Sequence, residues 1–130
     1  MARYLALSGM RRGVIEDLLR GTIRTMQITS PHNFFTIMQL DVGDMVFLTD
    51  ESPEDVKKKT QGVVARVKSR QISMQRVYHG NDSVYEEKEI LSARVQLEKK
   101  FIAVVKVVER GDLGAPLVVE VERVISYHAL

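Results

Sequence analysis

Four residues in "GTIRTMQITSP", Arg24, Thr25, Gln27 and Thr29, carry the first recognisable chemistry of the chain. An arginine presents a planar fork of donors that suits phosphate, and threonine and glutamine add mixed donors and acceptors that suit the edge of a base. On a regular strand Thr25, Gln27 and Thr29 share one face, while Arg24 falls with Met26 and Ile28 on the other. The same polar residues would equally solvate the outer face of an amphipathic strand and bind nothing. An arginine on an apolar face must find a partner or stand at a rim.

A second set lies downstream. Arg66, Lys68 and Arg70 recur at every second position, so one regular strand aims them to one side about 7 Å apart, near the spacing of successive phosphates. Lys57, Lys58 and Lys59 precede them. The net charge is only +2, yet residues 41–56 hold six acids and no base, residues 57–76 seven bases and no acid, and residues 77–98 five acids against two bases. The competing reading pairs the cations with Glu120 and Glu122 or with the acids of 86–89. No aromatic side chain is interleaved with the basic ladder. Tyr78 and Tyr85, beside the expected hairpin tip, could stack on bases or simply pack across strands.

Other chemistries find no footing. The chain has no cysteine, which removes disulfides, thiolate metal sites and cysteine nucleophiles together. His32, His79 and His128 are far apart, none with a second ligand at metal-binding spacing. "RGDLG" lacks the strand-to-helix setting and the Lys-Ser/Thr pair of a phosphate-binding loop. No catalytic, cofactor-binding or metal residue is therefore assigned. "MARYLALSG" is too short for a cleaved leader, and no apolar run approaches the ~20 residues of a membrane span. The expectation is a cytoplasmic protein with no membrane partner.

These residues need elements to position them. At 130 residues the chain fits one domain with one core, which buries roughly two thirds of its unfolded surface. "RYLALS" alternates as a first strand with Tyr4 opposite Leu5 and Leu7. "RRGVIEDLLRG" sets Val14, Ile15, Leu18 and Leu19 at helical spacing, with Gly21 as its stop. "TIRTMQIT" is the next strand, ended by Ser30 and Pro31. "HNFFTIMQL" reads as a short strand or an irregular crossing, "DVGD" as a turn, and "MVFLT" as a strand buried on both sides. "ESPEDVKKKT" has the caps of a short helix near residues 53–59, with Val56 its single apolar residue.

From Gly62 onward strands dominate. Val63, Ala65 and Val67 share a parity that breaks near Ser69, where a bulge or corner is expected. "HGND" turns the chain back to a return segment that is clearest at "LSARVQL". "FIAVVKVVE" is apolar on both faces, "RGDLGAP" is a connection, and "PLVVEVERVISY" places Val119, Val121 and Ile125 inward. Six to seven strands with one clear helix near the N-terminus give an α+β class. Strands buried on both faces close best as a small mixed β-barrel.

The helix ending in Gly21, the string Arg24, Thr25, Gln27 and Thr29, the "GD" turn at Gly43 and Asp44, and the strand Gly62 to Val67 resemble the ASCH branch of the PUA-like superfamily of small barrels. Along most of its length the chain also resembles an uncharacterised family of small archaeal proteins. The first resemblance implies a cleft lined by the string and a role in binding RNA or a nucleotide. A few ASCH-type proteins are amidohydrolases that act on modified nucleosides through a lysine, a threonine and a glutamate. Here Arg24 stands for the lysine, Gln27 for the glutamate and Thr29 for an arginine. Arginine stays protonated and glutamine shuttles no proton, so the resemblance carries the cleft and not that reaction.

The expected function is thus a non-enzymatic RNA- or nucleotide-binding domain. Arg24, Thr25 and Gln27 would contact the nucleotide, and Lys57, Lys58, Lys59, Arg66, Lys68 and Arg70 would hold its backbone. The alternatives are a protein-interaction module, suggested by the opposed acidic and basic segments, and a nucleoside hydrolase. The hydrolase would require a carboxylate from elsewhere, such as Glu16 or Glu87, to face Arg24 and Thr25.

Overall fold

The computed structural model describes residues 2–21, 23–80, 85–111 and 115–125, the side chains of 77–80 and 85–89 excepted. Strand β1 (Ala2–Leu7) leads to helix α1 (Arg12–Arg20), strand β2 (Ile23–Ile28), helix α2 (Pro31–Met38) and strand β3 (Met45–Leu48). Two long strands follow, β4 (Gln61–Gly80) and β5 (Tyr85–Glu109), and β6 (Val118–Val124) is last. The return segment and "FIAVVKVVE" are thus one strand of 25 residues rather than two. Residues 81–84, where the hairpin turn is expected to close, and the loop residues 112–114 fall outside the described residues.

The six strands form one ring-like sheet. β1 runs parallel to β3, β3 antiparallel to β4, β4 to β5, β5 to β6, and β6 returns to β1. β5 is long enough to hold two partners in succession along one edge. Its residues 93–98 pair with β2 and its residues 102–109 pair with β6. β2 therefore has a paired edge toward β5 and, among the described residues, no strand on its other side.

Burial follows the alternation of the strands, but it makes two clusters instead of the one core expected. Val46, Leu48, Val63, Ala65, Val67, Val95 and Leu97 meet α1 and α2 on one face of the sheet. Phe47, Val64, Ala103, Val105, Val119 and Val121 pack on the other. "MVFLT" is apolar throughout because both its faces are covered. Phe47 is fully enclosed, a burial that contributes about 1.5–3 kcal/mol. Gly62 is dictated by this packing, since a Cβ there would lie 2.2 Å from the Leu48 carbonyl oxygen and 2.4 Å from the Phe47 ring. Gly43 turns the chain into β3 at φ +100°, where a side chain would be strained.

Helix α1 stands as its spacing demands, with Ile15 and Leu18 buried. Its last turn is closed by Lys99, whose Nζ donates to the Leu19 carbonyl at 3.0 Å. The "HNFFTIMQL" segment is different from expectation: it is a helix. Ser30 caps it by accepting from the Asn33 N–H, Pro31 opens it, and Phe34 and Ile37 are buried at a spacing of three. Ser30 and Pro31 end the preceding strand and start this helix with the same two residues.

The helix expected near 53–59 is instead a pair of turns. Arg110 takes the carbonyls of Pro53 and Val56 at 2.7 Å each, which occupies acceptors a helix would have used. The Thr60 N–H then donates to the Lys57 carbonyl, and Lys59 between them adopts φ +80°, a turn geometry that leads directly into β4. The bulge expected near Ser69 is present, with Lys68 as the extra residue between Val67 and Ser69. Ile125, expected inward, is fully exposed beyond the end of β6.

Candidate functional site

A cleft of about 660 Å³ opens along the unpaired side of β2. Its walls are Gly9, Met10 and Arg11 from the β1–α1 connection, Val14 of α1, every residue from Arg24 to Ser30, and Asn33 of α2. Residues of both strand parities line it, as a groove beside a strand edge requires. Asn33 fixes the geometry of the opposite wall. Its side-chain amide donates to the Ser8 carbonyl at 2.8 Å and its Oδ1 accepts from the Ser8 N–H at 3.1 Å, both buried.

Arg24 lies on the inner parity, and the partner its position demands is Asp17 of α1, to which its Nη1 donates. Arg20 also lies 3.7 Å from Asp17. Glu16 is engaged elsewhere, at 3.5 Å from Arg12 and 3.9 Å from Arg20. Arg11 precedes α1 without a side-chain cap on the helix and is exposed at the cleft.

Thr25 and Gln27 point outward, and the register of the sheet gives them neighbours. Thr25 pairs with Gln96, which pairs with Ser69; Gln27 pairs with Arg94, which pairs with Gln71; Ile23 pairs with Glu98, which pairs with Arg66. Three strands thus present one polar face on which the β2 string and part of the basic ladder meet, about 10 Å apart. Arg94 belongs to this face and was not legible as a site residue, because no cationic neighbour at strand spacing marks it in the sequence.

The ladder itself does not stay on one side. Arg66 and Lys68 are exposed near Glu98. Past the bulge, Arg70 comes opposite Val95 and so turns to the buried face. There its Nη1 donates to the carbonyls of Ile37, Met38 and Leu40 at 3.2, 3.3 and 2.6 Å, closing the end of α2. A bulge residue inverts every side chain that follows it. Lys57, Lys58 and Lys59 are exposed in the turn that precedes β4, with about 17 Å of strand between Gln61 and Arg66.

Among the described residues the carboxylate that answers Arg66 and Lys68 is Glu98 rather than Glu120 or Glu122, and the acids of 86–89 have side chains outside them. Lys100 hydrogen-bonds Glu98 and holds its carboxyl below the usual range, with further attraction from Lys68 and Arg66. Glu122 pairs with Lys106 at 2.7 Å. Tyr78, His79, Tyr85 and Glu87 have side chains outside the described residues, as has His128. Among the described residues no three metal-ligating side chains converge, and no helix is long and apolar enough to cross a membrane.

A family model described as "Protein of unknown function (DUF473)" matches residues 2–119. The chain belongs to the DUF473 family. A relative within reach of sequence comparison is the uncharacterized protein MJ0105 of the archaeon Methanocaldococcus jannaschii, 35% identical over 96 residues. That match covers 74% of this chain and spans 60% of the relative's length. The small archaeal family expected from the sequence is therefore DUF473. Among solved structures, the N-terminal domain of Mycobacterium avium complex Lon protease is similar with a TM-score of 0.49 and 15% identity, over 99% of this chain and 58% of that one. A likeness so distant supports no reading of either fold or function.

Proposed function

We propose that this DUF473 domain is a non-enzymatic binding module that takes a nucleotide, free or presented by RNA, in the cleft beside β2. The ring-like sheet is read as a small barrel of the PUA/ASCH kind. The observation that carries the proposal is that Thr25, Gln27 and Thr29, whose side chains suit a base edge or phosphate, line one cleft of about 660 Å³ together with Arg24, whose guanidinium is bonded to Asp17. A cavity of that size accommodates a nucleotide. The unpaired edge of β2 adds backbone donors and acceptors for a base, and Arg11 with the uncapped start of α1 favours a phosphate at the other end. Arg66, Lys68 and Arg94 on the adjoining face would hold neighbouring phosphates.

The hydrolase alternative is weaker. The described carboxylate facing Arg24 is Asp17, whose oxygens are engaged by Arg24 and Arg20 and which is not among the residues lining the cleft, so it is not placed to act as a general base there.

The test is fluorescence anisotropy with single-stranded and structured RNA and with mononucleotides at low salt. Gln27→Ala with Thr25→Ala should weaken binding at least tenfold. The triple change of Arg66, Lys68 and Arg94 to alanine should flatten the salt dependence by about 0.7 in slope for each phosphate left without its cation. No binding of any of these at low salt would sink the proposal. The free edge of β2 favours a second reading, an extended polypeptide that adds to the sheet; a partner retained after nuclease treatment and released by the β2 changes would select it.

A further inference from the structure

The ring closes through β1, β3, β4, β5 and β6, and at one end each of these strands brings a side chain to the face turned away from α1 and α2. Tyr4, Met45 and Phe101 are half-buried there against the apolar cluster. Arg66 stands opposite Met45 and Arg123 opposite Ala103, so both share that face, because directly paired residues project to the same side. Both are exposed. The inner face thus passes from enclosed apolar packing to an aromatic floor with a cationic rim.

Phe101 organises this end. Tyr4 meets it edge-on, with ring centroids 6.4 Å apart at 61°, and the Arg123 guanidinium lies 5.5 Å from its centroid. A guanidinium held over one ring can receive a second flat π-system on its outer side. The nearby acids are engaged elsewhere: Glu98 is bonded to Lys100, Asp44 accepts from the Asp41 N–H, and Glu122 is held by Lys106. Among the described residues no carboxylate forms an ion pair with Arg66, Lys68 or Arg123.

We propose that this end of the ring is a second binding position, which takes one unpaired nucleobase on the Arg123 guanidinium while Arg66 and Lys68 hold the phosphates that flank it. The proposal rests on the nucleotide reading of the β2 cleft for its class of ligand, and it lengthens that ligand to a single strand of RNA. The polar face connects the two positions. Gln27 of the cleft stands opposite Arg94 on β5, and from Arg94 to Phe101 the strand rises about 20 Å, some three phosphate spacings of ~7 Å. A strand of about five nucleotides reaches from one position to the other. A run of carboxylates on a polypeptide would satisfy the cations but offers Arg123 no ring, whereas every base has a π-face to lay on it.

The test is fluorescence anisotropy at low salt with labelled single-stranded RNA of three and of eight nucleotides. The longer strand should bind at least about tenfold more tightly, the usual worth of one stacked base. Arg123→Ala should remove most of that gain, and Arg123→Lys, which keeps the charge but not the plane, should remove nearly as much while leaving the salt slope unchanged. Circular dichroism should show both variants folded, as exposed substitutions are. A peptide of eight glutamates should compete at least tenfold less well than the longer RNA. Equal affinity for the two lengths, a gain that survives Arg123→Ala or is fully kept by Arg123→Lys, or equal competition by the peptide would each overturn the inference and leave the cleft reading standing. Thr25→Ala with Gln27→Ala should weaken both lengths alike; if those changes have no effect while Arg123→Ala does, the cleft reading fails and this one survives.

Discussion

Arg66 and Arg70 lie four residues apart on one strand and face opposite sides of the sheet, because Lys68 is an extra residue between them. One is exposed beside Glu98, and the other closes a helix. Two arginines of one apparent ladder therefore have unrelated duties.

Arg70→Ala should destabilise the protein by about 1.5–3 kcal/mol, the usual loss when a charged donor to several carbonyls is removed. Thermal unfolding should shift down by roughly 5–10 °C. Arg66→Ala should leave the unfolding temperature within about 2 °C, as exposed substitutions do. Equal shifts in the two variants would contradict the placement of Arg70 on α2.

Asn33→Leu should cost about 2–4 kcal/mol. Leucine fits the helix but strands the buried N–H and carbonyl of Ser8, each left without its side-chain partner. Denaturant unfolding should show a lower midpoint with an unchanged slope. Asn33→Asp should recover the bond from the Ser8 N–H only.

Gly62→Ala should also be damaging, by about 2–3 kcal/mol, even though alanine is the smallest possible addition. The added carbon meets a backbone oxygen and the fixed ring of Phe47, and neither can move without disturbing the sheet. Truncating the ring together with the glycine change, as Phe47→Leu with Gly62→Ala, should cost less than the sum of the two single losses.

Glu98 should titrate below the ordinary glutamate range when followed by carbon-detected NMR, because the charged form is bonded to Lys100 and attracted by Lys68 and Arg66. A carboxylate depressed in the folded state contributes stability that is present above its unfolded pKa and is lost as pH falls through its folded pKa. Acid unfolding should therefore begin at higher pH once that contribution is removed, and Lys100→Ala should move the Glu98 titration back toward the ordinary range. A Glu98 titration unmoved by that change would rule out Lys100 as the main cause.

Local elements with short-range signals are legible from the order of residues alone. α1 follows from the spacing of Val14, Ile15, Leu18 and Leu19, the two-sided burial of β3 from an unbroken apolar run, and the bulge near Ser69 from a break in parity. The string from Arg24 to Thr29 was also legible, since a turn followed by alternating polar residues needs no distant partner to be seen. Where the same composition allows two structures, only tertiary contacts chose. Arg110, from the far end of β5, takes the carbonyls at 53–56 and leaves turns where caps alone suggest a helix. Asp17 claims Arg24, α2 claims Arg70, and register brings Arg94 between Gln27 and Gln71. Spacing along a chain states which side chains alternate; a bulge or a distant carboxylate decides which of them remain available at the surface, because both act through residues far apart in sequence.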